Sequence, residues 1–191
     1  MEIRPTKGKR VKKLDIERLY MRICKQDNYL YKDKIEFIQG ILNKHCVVSK
    51  DFIDKKNWIA MPVPENLEMI ESEWLSDAIH RFGFTTYEQY IIGIDNNIEF
   101  SEIINNQENI YKSEYGYLDK CIILTNKNID FLYYKDINNL YHMFAGTFDF
   151  VYSCVQCSKL LCKEIYTEYC FQYMKDSPEY KKCEYIWNLY Q

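Results

Sequence analysis

Cys154-x-x-Cys157-x4-Cys162 is the spacing in this 191-residue chain that comes nearest to a ligand set. Thiolates at such intervals can hold zinc, but structural zinc sites bring two close pairs together, often from a turn. A second pair is missing here, unless His142, Cys121 or Cys170 folds nearby. The helical period places Cys154 and Cys162 on one apolar stripe, with Cys157 at its edge. Cysteine is also among the residues most often buried. The three thiols therefore read as core residues, and no metal or cofactor is expected.

Other chemistry is equally sparse. His45, His80 and His142 have no spaced partners, so no Cys–His nucleophile pair is indicated. The six glycines are scattered and form neither G-x-G-x-x-G nor G-x4-G-K-[ST], which removes the familiar phosphate cradles. No H-E-x-x-H and no G-x-S-x-G occurs. The chain reads as a non-enzyme without a small-molecule substrate.

Charge carries more information. The formal net charge of −3 divides unevenly. Residues 1–13 carry net +5, residues 14–61 net +2, residues 62–110 net −9 and residues 111–191 net −1. In the acidic block, Glu65, Glu68, Glu71, Glu73 and Asp77 fall on or just before one predicted helix, and Asp95, Glu99 and Glu102 follow. Such a density of carboxylates repels nucleic acid and steers basic proteins toward it. Trp74, Tyr87 and Tyr90 lie in the same stretch and read as aromatic anchors. The eleven residues together form the predicted partner-binding set. The basic residues of 1–13 could instead touch phosphates, which leaves a nucleic-acid-binding or regulatory protein as an alternative. An unrecognised enzyme, with magnesium held near Asp95 and Glu99, is a second alternative.

The elements that must position these residues are legible in part. Residues 1–13 read as a flexible basic arm, and 14–191 as one globular α+β domain. Helices are predicted near 14–26 and 33–46. Met61-Pro62-Val63-Pro64 reads as a breaker, because neither proline can donate to a ladder. Leu67, Ile70, Trp74, Leu75, Ala78, Ile79 and Phe82 then follow the helical period, and Gly83 is placed to end that helix in the left-handed region. On this wheel Glu71 points into the apolar arc. Either the helix starts later, or Glu71 is partly buried. Residues 84–94 lean toward strand on β-branched and aromatic content. The clearest β signal is a meander over about 120–146, with strands at 121–125, 129–135 and 140–144. From Val151 to Tyr173 the period is helical throughout, so long C-terminal helices are expected to pack on a small, mainly antiparallel sheet. Ser177-Pro178 opens a last helix.

The basic opening residues lack an apolar signal core, and no run reaches transmembrane length, which predicts a cytoplasmic protein with reduced cysteines and no membrane partner. The 18 tyrosines, against 3 alanines, fit both AT-rich coding and a contact surface. Ile129-Asp-Phe-Leu-Tyr-Tyr134 through Leu140-Tyr-His-Met-Phe-Ala-Gly146 and Phe148-Asp149-Phe150 resembles a strand pair ending in Ala-Gly-x-x-x-Phe in some bacterial immunity proteins of contact-dependent inhibition and related polymorphic toxin systems. The resemblance covers roughly thirty residues and carries no functional residue across. It implies a cognate basic toxin, commonly a nuclease, whose active cleft is blocked by occlusion without catalysis. A phage-encoded inhibitor of a host enzyme would share that mechanism.

Overall fold

The structure is a computed structural model and describes residues 33–43, 46–95 and 97–191. They fall in two compact units, one ending at Ile41 and one spanning Leu42–Gln191. In the first, residues 33–41 form helix α1. Its end is earlier than periodicity predicts, because Leu42 leaves the helix to bridge Val48. The arm at 1–13, the helix near 14–26 and His45 lie outside the described residues.

The second unit is α+β, as expected. Its elements are α2 (Lys50–Lys55), β1 (Ile59–Pro64), α3 (Met69–Arg81), β2 (Thr86–Ile92), β3 (Ile98–Ile104), α4 (Gln107–Tyr115), β4 (Cys121–Thr125), β5 (Phe131–Lys135), β6 (Tyr141–Gly146), α5 (Phe148–Val155), α6 (Lys159–Cys170) and α7 (Pro178–Leu189). The six strands form one antiparallel sheet in the order β1-β6-β5-β4-β2-β3. The meander β4-β5-β6 is its centre, and every residue of those strands is buried.

Three sequence expectations need correction. Met61-Pro62-Val63-Pro64 is strand, not a breaker. Among the described residues β1 pairs only with β6, so it is the outer strand of the described sheet. The Glu65 N–H donates to the Leu140 carbonyl at 3.2 Å, which turns the nitrogens of Pro62 and Pro64 away from β6. Prolines are tolerated where no ladder bond is lost. Next, the stripe from Val151 to Tyr173 belongs to two helices. Gln156 takes the left-handed conformation (φ 49°) after α5, and the Ser158 hydroxyl then caps α6 by accepting from Leu161 N–H. Finally, Tyr87 and Tyr90 are core residues rather than anchors.

Strand register sorts the sheet's two faces, because side chains alternate and Cα partners share a face. Met61, Val63, Tyr87, Gln89, Leu124, Phe131, Tyr133, Lys135, His142 and Phe144 lie on one face, beneath α3, α4 and α5. Phe131 stacks on Phe150 of α5 at 4.9 Å, and Phe150 meets Phe82 edge-on at 5.5 Å. On the other face α6 packs against β1, α7 packs against α6, and Lys182 of α7 pairs with Asp136 at 2.7 Å. Among the described residues no helix is long and apolar enough to cross a membrane.

α3 ends as its sequence dictates. Gly83 takes φ +87° after the C-cap, a conformation open to glycine without a Cβ clash. Its start is later than drawn from periodicity. Glu68 is the N-cap, and Glu71 reaches back to accept the Glu68 N–H at 2.8 Å in a reciprocal capping box. Both readings of Glu71 therefore hold: it sits in the first turn, and its side chain is only 20 % exposed.

Candidate functional site: an acidic groove at the outer strand

A groove of about 390 Å³ runs along the outer strand β1. Pro62, Val63 and Pro64 form one wall with the chain that follows them, Glu65 and Asn66. The cap and first two turns of α3 add Glu68, Glu71 and Trp74, the end of α5 and the connection after it add Val155, Gln156 and Cys157, and α6 adds Cys162 and Ile165. Three carboxylates enter this lining, and among the described residues no lysine or arginine does. Glu65 is exposed in a left-handed backbone conformation (φ 63°), which turns the chain from β1 toward α3. Trp74 is half-buried, and Ile165 is exposed.

Beneath the groove floor lie two buried polar groups. His142 is fully buried, and its Nδ1 lies 3.0 Å from the Glu65 carbonyl, so this nitrogen must donate. Nε2 is then left 3.8 Å from Glu71 Oε2, without a hydrogen bond among the described residues. Asn66 Oδ1 is likewise buried and without a hydrogen bond among them. A buried acceptor without a donor costs free energy. In the groove itself, the carboxylates of Glu65, Glu68 and Glu71 favour a donor-rich cation.

Behind the floor lies a second polar layer, closed to the groove. Glu114 of α4 is buried, accepting from Tyr133 Oη at 2.5 Å and from Leu67 N–H at 3.2 Å. Burial raises its carboxyl above the ordinary value, while nearby His142 and Lys135 and the Tyr133 hydrogen bond pull the other way. Lys135 donates to the Tyr117 carbonyl at 2.7 Å, and burial lowers its ammonium. The Ser113 hydroxyl donates to Gln89 Oε1 at 3.0 Å and lies 3.2 Å from Tyr87 Oη. This layer locks α4 onto the sheet and fixes Leu67, the residue before the α3 cap.

The predicted partner-binding residues separate in space. Glu65, Glu68, Glu71 and Trp74 meet in the groove. Glu73 and Asp77 are exposed farther along α3, outside it. Asp95 is exposed beyond β2 and accepts from Asn97 N–H at 3.2 Å. Glu99 and Glu102 lie on β3, at the opposite edge of the sheet from β1, and their register places them on opposite faces. Five interstrand spacings, about 24 Å, separate the two edges. Tyr87 is 1 % and Tyr90 2 % exposed. Burial pushes the Tyr87 hydroxyl up to about 12, and Tyr90 donates to Glu88 at 2.7 Å. Neither can reach a partner. Val63, Asn66 and Ile165 escaped the sequence reading, since only the tertiary fold brings them beside the carboxylates.

Of the three spaced cysteines, Cys154 and Cys162 are buried and Cys157 is half-buried, and all are free thiols. Among the described residues no group of three or more His, Cys, Asp or Glu side chains is placed to hold a metal ion. Comparison with protein-family models, curated proteins and solved structures gave no match.

Proposed function

We propose that this chain is a binding protein of the immunity type, which neutralises a cognate basic protein toxin by occluding its active or substrate-binding surface without catalysis. The observation that carries the reading is the groove: three carboxylates, with no cationic side chain in the lining among the described residues, beside the half-buried Trp74 and the exposed Ile165. An arginine or lysine of the partner would enter between the carboxylates and lie against the indole. Ile165 and Val63 would give the contact its apolar area. A nuclease fits this complementarity well, because a cleft that holds phosphates is itself basic. The carboxylates Glu73 and Asp77 would steer approach without touching the bound segment.

The test is growth protection. The chain is expressed with the basic protein encoded beside its gene, and survival is compared across variants. Wild type should protect. Glu65→Lys and Trp74→Ala should weaken binding of that purified protein at least tenfold, about 1.4 kcal/mol, and Glu99→Gln with Glu102→Gln should leave it unchanged. Loss of protection in the β3 variant but not in the groove variants would refute the assignment.

A further inference from the structure

Docking at the groove makes no use of the two thiols in its wall. Cys157 Sγ and Cys162 Sγ lie 3.1 Å apart. A disulfide S–S bond is about 2.05 Å long, so closure asks for about 1 Å of sulfur movement. Cys157 stands in the connection between α5 and α6, directly after Gln156 in its left-handed conformation, where no helix fixes the backbone. Cys162 is in the first turn of α6 and is 7 % exposed. Cys157 is half-buried and lines a second, broad depression with Arg81, Asp149 and Ser153. A small solute can therefore reach Cys157 from outside the groove, while Cys162 waits behind it. Cys121, Cys154, Cys170 and Cys183 are all buried.

We propose that Cys157 and Cys162 form a thiol–disulfide redox site, in which a low-molecular-weight disulfide of the glutathione class converts the pair into an intramolecular bridge. Cys157 gives its proton to water, and its thiolate attacks one sulfur of the small disulfide. That S–S bond breaks, and one small thiolate leaves and takes up a proton. Cys162 then gives its proton to water, its thiolate attacks the Cys157 sulfur of the mixed disulfide, and the second small thiolate leaves and takes up a proton. The protein loses two electrons and two protons, and the small disulfide gains both as two thiols. Burial holds the Cys162 thiol high, which lowers its thiolate fraction at neutral pH. The bridge ties the connection after α5 to the first turn of α6, beside the groove. This site stands on its own geometry, whatever occupies the groove.

The full chain is equilibrated in glutathione buffers of rising oxidised fraction, quenched with acid, alkylated and digested with trypsin without reductant. Trypsin cuts after Lys159, between the two cysteines, so the bridge joins peptide 136–159 to peptide 160–163. Because 136–159 also holds Cys154, a Cys154→Ala variant runs in parallel. The joined peptide should appear in wild type and in Cys154→Ala, vanish with dithiothreitol, and be absent from Cys157→Ser and Cys162→Ser. Cys162→Ser should instead accumulate a glutathione adduct at Cys157. The proposal is overturned by a stable adduct at Cys157 in wild type, by loss of the joined peptide in Cys154→Ala, or by a bridge that forms only in denaturant.

Discussion

Replacing Tyr133 by Phe removes one oxygen from a fully packed position and leaves the rest of the ring in place. Tyr133 is 1 % exposed and packs on Phe144 at 5.6 Å, so no solvent reaches the gap. Its hydroxyl donates to Glu114 at 2.5 Å, in the range of charge-assisted bonds. Losing such a bond to an ionised group costs about 1.5–3 kcal/mol. For a chain of this length each kcal/mol lowers Tm by roughly 2–4 °C, so the variant should melt roughly 3–12 °C lower. The cost also depends on pH, in a direction the structure sets. Burial raises the folded-state Glu114 carboxyl, whose contribution to stability is full below its unfolded value and lost as pH rises through the folded one. The Tyr133 bond opposes that loss by favouring the ionised form. Without it the carboxyl rises further, and wild type and variant diverge as pH increases. Urea unfolding at pH 4.5, the ordinary value of such a carboxyl, and at about pH 8 measures both terms. The difference should be clearly larger at the higher pH and should lose its pH dependence in a Glu114→Gln background. A cost within about 0.5 kcal/mol of zero at the higher pH, or equal costs at both, would refute the reasoning.

Three further perturbations probe other parts of the frame. Gly83→Ala adds a Cβ into open space but keeps φ +87°, so thermal melting should show a loss of about 1–2 kcal/mol, with Gly83→Asn milder. Lys182→Met strands the buried Asp136 carboxylate and should cost about 3 kcal/mol, while Asp136→Asn in the same chain should recover much of it in a double-mutant cycle. Asn106→Ala deletes the side chain that accepts Asn109 N–H at 2.8 Å at the start of α4, and chemical denaturation should report about 1 kcal/mol.

The parts of the fold that were legible in the sequence are those where local pattern and tertiary role agree. β4, β5 and β6 are continuous apolar runs between Asn- and Asp-rich turns, and Ser177-Pro178 opens α7 as its chemistry requires. Where the two levels part, the sequence misleads. The prolines of β1 break a strand unless it is outermost, and strand order is a long-range property. The apolar stripe is divided between two helices by the left-handed residue Gln156, with Leu161 and Ile165 left exposed, and nothing in a glutamine announces φ 49°. β3 and α4 had no local signature strong enough to be assigned. The acidic block was readable as charge but not as a surface: adjacent stretches of chain are carried to opposite edges of the sheet, and only Glu65, Glu68, Glu71 and Trp74 converge. The sequence also spoke for the wrong tyrosines, since Tyr87, Tyr90, Tyr133, Tyr134, Tyr141 and Tyr166 all serve the interior.

The outward-facing nitrogens of Pro62 and Pro64 have a consequence for self-association. An unpaired sheet margin is a template on which another chain can add a strand, and so a route to aggregation. Along β1 that template is interrupted at two alternate positions, because neither proline has a hydrogen to give. The far margin, β3, is guarded differently: Glu99 and Glu102 project to either side of it, so that two copies meeting there would set like charges against each other. Thus the sheet resists growth from both ends. A segment that settles along β1 finds carbonyls there but no proline N–H, so its side chains must carry more of the contact, and side-chain contacts are what tell one partner from another.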